Sequence, residues 1–456
     1  MLNAKDTERV LENAFSLEFL QATLTQKLSE APVMYKGPAN ITQQGDGSLI
    51  LKLYHLYEST DELVKDANDR LCGIKFRPGL IIEDEHYFDF EGVDLSGYIW
   101  TSPRIWVSGD VSFPCNGKLV MATLQRIETR WKSEVKQQPE TINAQVYIPG
   151  KFCIPYTKTE QRENSIYLSV CELSIAGRQC VLQQHDSHLE IIADLTGKAN
   201  PDDHLDLILE GLSIGIGCRL HPLLKKVNAL GQQIQVIHSH AKNERQLKLP
   251  SPIPISQPHN ATNLQAFLDR FIETISDHHS PLVGYWFRVL QAFSNGVENR
   301  ALVLTTAIEG LVKQCYHALE APDKEFIKQL AEAEPLIEDL PVEIERAKKY
   351  LKNALSNAKR NSPKNSLYAL AQTKLISESM VIRWSKLRNK STHADELKLK
   401  AHELQAFLDE LNVCLELFYR LILGIIGYSA QIVQYSIIGW PETKLNVVLT
   451  HHKRQE

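Results

Sequence analysis

The chain has 456 residues, more than one ordinary hydrophobic core organises, so two or three domains are expected. Hydrophobic residues make up 43% and charged residues 23%, the balance of a soluble globular protein. A formal net charge of −5 argues against a surface that coats nucleic acid or anionic membrane as a whole, so any nucleic-acid site must be local.

The N-terminal MLNAKDTERVLENAF has no basic segment leading into an apolar core, and no secretory signal is expected. Cys72, Cys115, Cys153, Cys171, Cys180, Cys218, Cys315 and Cys414 are scattered, with no C-x-x-C pair. That spacing suits a reduced cytoplasmic protein better than a disulfide framework or a zinc site. Val10, Leu11, Phe15, Phe19 and Leu20 recur at helix-like spacing, so one helix is expected to about residue 30. From there to residue 245, short runs rich in β-branched and aromatic residues alternate with turn signals. SLILKLYHL follows Gly45-Asp46-Gly47, and KLVMATLQRIETRW follows Asn116-Gly117. SIYLSVCELSI and CVLQQHDSHLEIIADL flank Ala176-Gly177, and a helix is expected at DDHLDLILEGL. The reading for 1–245 is an antiparallel β-rich domain with a leading helix.

Pro250, Pro252, Pro254 and Pro258 make 246–262 a semi-rigid linker, because proline cannot donate ladder hydrogen bonds and stays extended. Beyond it, 263–456 reads as a helix bundle, giving an α+β chain overall. Successive helices are expected at NLQAFLDRFIETI, LVGYWFRVLQAFSN, NRALVLTTAIEGLVKQCYHAL, EIERAKKYLKNALSNA, LAQTKLISESMVIRWSKLRNK and the long stretch from Thr392 to Tyr428. In the last, Leu404, Phe407, Leu408, Leu411, Leu415, Phe418 and Ile422 mark one buried face. Leu421–Trp440 is free of charge, but its glutamines, serines and glycines favour a buried helix over a membrane span.

Charge is partitioned within this bundle. Between Arg346 and Lys400 basic residues exceed acidic ones by eleven, in a chain whose total is −5. Glu320–Glu345, just before, is mostly acidic. Lys348, Lys349, Lys352, Arg383, Lys386 and Lys390 are the candidate RNA contacts. Aromatic residues able to stack on bases are few there, chiefly Tyr350, Tyr368 and Trp384, so recognition is expected to rest on backbone and shape.

The basic segment carries Arg388-Asn389-Lys390-Ser391-Thr392-His393. Histidine moves protons near neutral pH, and arginine stays charged and grips phosphate. In one unbroken helix, residues five apart point about 140° away from each other. Ser391 or Thr392 is a good N-cap, so a helix is expected to end near Lys390 and another to begin with His393 in its first turn. That junction turns both side chains towards one spot. An RNA 2′-hydroxyl is the nucleophile. His393 takes its proton or protonates the leaving 5′-oxygen, and Arg388 stabilises charge on the phosphoryl group. This chemistry requires no metal, and no nucleotide cofactor is expected, since Walker A and Rossmann glycine patterns are lacking.

The segment resembles the HEPN superfamily, helical, usually dimeric domains whose nuclease members carry R-x4-6-H, often with Asn directly after Arg. Arg388-Asn389-…-His393 has that form. LTTAIEGLVKQCY resembles an earlier family helix, with Glu309 on its acidic position. The resemblance implies that Glu309 orients the catalytic pair and that Asn389 belongs to the site. The whole layout resembles the ApeA-like anti-phage proteins, which join a β-rich N-terminal domain to a HEPN ribonuclease. It implies a homodimer that cuts host or phage RNA, with tRNA among the candidates, in abortive infection released by a phage-derived trigger. The rival from another class is a non-catalytic HEPN module that binds RNA or protein.

Three motifs compete. Gly211-Leu212-Ser213-Ile214-Gly215 fits the G-x-S-x-G nucleophile elbow of α/β-hydrolases, with LDLIL as its strand, although hairpin-joined strands upstream argue against that fold. Asp277-His278-His279 matches part of a phosphoesterase signature without its other aspartates. His185-Asp186-x-His188 and His238-Ser239-His240 read as surface histidines rather than metal ligands.

Overall fold

The computed structural model describes residues 2–27, 32–59, 64, 81–107, 117–132, 141–162, 165–229, 231–240, 247–256, 260–275, 281–316, 324–341, 344–358, 362–392 and 401–445. The chain forms two compact units, Met1–Asp206 with Leu220–Arg245, and Leu207–Arg219 with Gln246–Glu456. A single cut in the proline-rich stretch is therefore not the whole division, because Leu207–Arg219 belongs to the helical unit.

In the first unit, α1 (Ala4–Leu11) opens with a capping box in which Asn3 and Asp6 each accept a hydrogen bond from the other's backbone N–H. Asn13, at φ +56°, ends it, with Ala14 N–H donating to Arg9 O. The helix expected to residue 30 is thus replaced after Leu11 by strand β1 (Ser16–Gln26). A register shift against the next strand falls between Phe19 and Ala22, and both side chains are buried. The bulge gives a strand the three-residue spacing of a helix face.

The strands that follow are β2 (Met34–Gln43), β3 (Leu49–Leu56), β4 (Phe88–Asp94), β5 (Ile99–Ile105), β6 (Gly117–Leu124), β7 (Arg126–Lys132) and β8 (Asn143–Pro149). Next come β9 (Lys158–Arg162), β10 (Ser165–Ile175), β11 (Arg178–Gln184), β12 (His188–Asp194), helix α2 (Pro201–Ile216), β13 (Leu224–Ala229) and β14 (Gln232–His238). They form one fourteen-stranded sheet in the order β6-β3-β2-β1-β4-β5-β7-β14-β13-β8-β12-β11-β10-β9. An isolated bridge, Val107 to Ala122, ties the chain just after β5 back to β6, so the first six strands close on themselves. Phe19, Leu24, Ile41, Leu51, Phe90, Trp100 and Ile127 fill the enclosed core.

Turn chemistry sets the registers. Gly47 takes φ +85° between β2 and β3, and Ala176 (+47°) with Gly177 (+75°) forms the left-handed pair of a tight hairpin between β10 and β11. KLVMATLQRIETRW is not one strand. It breaks at Gln125 into β6, paired with β3, and β7, paired with β14.

In the second unit, Leu207–Ile216 continues α2 and packs on α3 (Ala261–Thr274). A Cβ on Gly211 would lie 2.9 Å from the Phe271 ring, and one on Gly215 would lie 2.9 Å from Leu264. The two glycines let the helices approach. This corrects the elbow reading, which needs a strand–turn–helix around an exposed serine. All five residues of the motif are helical, Ser213 is buried, and its Oγ donates to Leu209 O at 2.7 Å. Gly211→Ala is expected to lose about 1–3 kcal/mol by overpacking against Phe271 and Leu268, both fully buried. Denaturant unfolding checks this, with Ser213→Ala as a control expected to change stability by less than about 1 kcal/mol.

The remaining helices are α4 (Pro281–Ala292), α5 (Val297–Cys315), α6 (Lys324–Glu338), α7 (Glu345–Ala358), α8 (Pro363–Gln372), α9 (Glu378–Thr392) and α10 (Ala401–Ile425). A small hairpin, β15 (Gln431–Val433) and β16 (Glu442–Lys444), follows. LAQTKLISESMVIRWSKLRNK is two helices, because the chain turns at Lys374 with φ +64°. The buried helix expected over Leu421–Trp440 stops at Ile425. Gly427 adopts φ +70°, with Tyr428 N–H donating to Leu423 O and Gly427 N–H to Gly424 O, the double bond of a helix stop. The buried face of α10 begins at Phe407, Leu404 being exposed, and from Val413 to Tyr419 the helix is buried on every side. Among the described residues no helix is long and apolar enough to cross a membrane.

Candidate functional site

The candidate site is built on α5 and α9. Helix α9 buries Met380, Val381, Trp384 and Leu387, spaced three and four apart, which fixes the face it turns inward. Trp384 Nε1 donates to Thr305 O at 3.2 Å, and Thr305 and Ser391 hydroxyls lie 3.5 Å apart. These contacts set the register of α9 against α5, and one turn beyond Trp384 they bring Arg388 beside Glu309. Arg388 Nε donates to Glu309 Oε2 at 2.8 Å, while Lys313 Nζ, one turn along α5, donates to Oε1 at 2.7 Å. The carboxylate thereby holds the Nε edge of the guanidinium.

Partial burial pushes the Glu309 carboxyl up, but the Lys313 and Arg388 hydrogen bonds and charges outweigh it and hold it below the usual glutamate range. A depressed carboxyl stabilises the fold above its unfolded value, near 4.5, and that contribution is lost as pH falls through the folded value. Glu309→Gln is therefore expected to be less stable than wild type at pH 7 by under about 1 kcal/mol, since both cations are largely exposed. The difference should shrink at a pH below the folded value, where the carboxyl is protonated in both states. Urea unfolding at both pH values checks it, and a gap that persists in acid would contradict the ion-pair account.

Asn389 and Lys390 follow Arg388 on the exposed side of α9. Helix α9 runs through Thr392, two residues past the expected stop at Lys390. Ser391 is therefore helical, and its Oγ donates back to Arg388 O at 3.1 Å rather than capping a following helix. His393 lies outside the described residues, as do Asp277, His278 and His279.

The basic residues fall into two groups with different partners. Lys348 and Lys352 on α7 both reach Glu338 at the end of α6, the first donating to its carbonyl at 2.6 Å and the second pairing with its carboxylate. Lys349 beside them is exposed. Arg383, Lys386 and Lys390 are exposed on α9, and Lys386 Nζ lies 3.3 Å from Glu410 on α10. The positive excess counted along the chain is thus offset in space by acids from neighbouring helices. Tyr350 is 74% exposed and available for stacking, whereas Trp384 is 3% exposed and is not. Lys313 was missed in the sequence, although its place four residues after Glu309 is the usual signature of a helical ion pair.

The competing histidines have structural surroundings. His185 and His188 stack at 4.5 Å, with His185 Nε2 3.1 Å from Glu190. Burial, with Lys225, Arg126 and His221 nearby, pushes His238 down to about 4, so it is neutral at pH 7. Among the described residues no three His, Cys, Asp or Glu side chains are grouped to hold a metal ion. Comparison with family models, curated proteins and solved structures returns no match.

Proposed function

We propose that the helical unit carries a metal-independent ribonuclease site of the HEPN type. Arg388 stabilises the phosphoryl charge, His393 transfers protons, Glu309 orients the guanidinium and Asn389 completes the motif. The observation that supports this reading is the Glu309–Arg388 contact. A carboxylate and a guanidinium 79 positions apart meet on adjacent helices of a bundle, and the guanidinium lies five positions before a histidine in the chain. A lone surface arginine would carry no such orienting partner. RNA is the substrate class, host or phage in origin and including tRNA. The working assembly is a homodimer, and abortive anti-phage defence released by a phage-derived component is the setting that a β-rich unit followed along the chain by a helical one fits.

One observation favours a second reading. Arg388, Lys348, Lys352 and Lys386 each already engage an acid, so the basic segment also suits a non-catalytic module that exchanges those partners for a binding surface. Incubating the purified chain with total RNA in EDTA separates the two. Cleavage is expected from the nuclease, and RNA that is bound but intact is the outcome for the module.

A further inference from the structure

Away from Arg388, the helical unit contains a cavity of about 440 Å³, within the range of small-ligand sites. It lies among the turn between α8 and α9, the middle of α10 and the β15–β16 hairpin. Its walls include Lys374, Ser377, Met380, Glu416, Arg420 and Ser436. Glu416 is 1% exposed and has both oxygens occupied, Oε1 by Arg420 Nε at 2.8 Å and Oε2 by Ser436 N–H at 2.9 Å. Arg420 also donates from Nη1 to Leu375 O at 3.1 Å. Of the five N–H groups of its guanidinium, three have no partner among the described residues.

The cavity wall thus carries two cations, Lys374 and Arg420, against one carboxylate, Glu416, whose two oxygens are both engaged. Glu416 cancels Arg420, which leaves the Lys374 ammonium as the net charge. Ser436, Gln434 and the remaining guanidinium donors line the same pocket, and Met380 supplies an apolar wall. A buried ion pair is weak evidence for stability, since a well-packed apolar pair serves as well. Lys374 holds φ +64°, a strained conformation for a side-chain-bearing residue that glycine would adopt freely. Lys374 and Arg420 both line the cavity.

We infer that this cavity binds a small phosphate monoester, with the phosphate held by Lys374 and Arg420 and an apolar or planar body against Met380. A tetrahedral oxyanion takes up several convergent donors at once, and the volume exceeds what phosphate alone fills. The inference is independent of RNA cleavage, because Arg388 does not line the cavity.

Calorimetric titration of the full chain with adenosine 5′-monophosphate, inorganic phosphate and adenosine tests it. The monophosphate is expected to bind more tightly than about 1 mM, phosphate more weakly, and adenosine not measurably. Lys374→Gly should fold with an equal or higher melting temperature, because it relieves the left-handed strain, and should weaken binding about tenfold or more. Arg388→Ala should bind the monophosphate as wild type does. The inference is overturned if wild type binds neither phosphate compound, if Lys374→Gly binds undiminished, or if binding is lost with Arg388→Ala instead.

Discussion

Arg388→Ala is expected to lower RNA cleavage about 100-fold or more, the scale for losing a preorganised charge on a developing oxyanion. His393→Ala should do the same through loss of proton transfer. The folded state should be nearly unchanged. The Arg388 side chain is 42% exposed, and the Glu309 carboxylate it pairs with is also held by Lys313. A loss of activity with a near-native melting temperature would thus belong to chemistry rather than packing. Glu309→Gln gives the graded case, since it keeps a hydrogen-bond acceptor for Arg388 and removes the charge, so a smaller loss is expected. Single-turnover cleavage with thermal melts of the same proteins checks the series. Full activity in Arg388→Ala would favour the interaction module.

Replacing Lys348, Lys349 and Lys352 together with glutamine should weaken RNA binding and flatten its salt dependence. Each phosphate contact on single-stranded RNA contributes about −0.7 to the slope of log K against log salt, so losing three removes about 2 from it. The arrangement of α6 and α7 supplies a control of opposite sign. Glu338 engages both Lys348 and Lys352, and those cations hold its carboxyl below the usual range. Glu338→Gln should free the lysine charges and strengthen RNA binding. Binding measured across a salt series on all three proteins decides the matter. If Glu338→Gln weakens RNA binding, the lysines act by closing the helical hairpin and not by meeting phosphate.

Parts of this architecture are readable in the chain because local chemistry and tertiary packing agree. Alternating runs beside Gly47 and Ala176-Gly177 become β2–β3 and β10–β11, and the regular stripe from Phe407 to Ile422 becomes the centre of the bundle. Elsewhere the same signal has two physical sources. The spacing of Val10, Leu11, Phe15, Phe19 and Leu20 runs across a short helix, a turn and a strand, which periodicity alone reads as one helix. Gly211 and Gly215 lack a Cβ because α3 lies against them, but glycines at that spacing equally satisfy a nucleophile elbow. The turn at Lys374 carries neither glycine nor proline, so nothing in the local sequence announces it. At the candidate site the α9 stripe is legible as an amphipathic helix. The meeting of Arg388 with Glu309 is set by the pairing of α5 and α9, which no local pattern encodes. Lys374, Glu416 and Arg420 come together for the same reason, from three separate segments.

The most direct test of the central claim is the chemistry of the RNA ends left by the purified chain in EDTA. The Arg388–His393 mechanism predicts a 2′,3′-cyclic phosphate or 3′-phosphate on one fragment and a 5′-hydroxyl on the other, since the 2′-hydroxyl is the nucleophile. Cleavage that EDTA abolishes and Mg²⁺ or Mn²⁺ restores, or fragments ending in a 5′-phosphate, would contradict it.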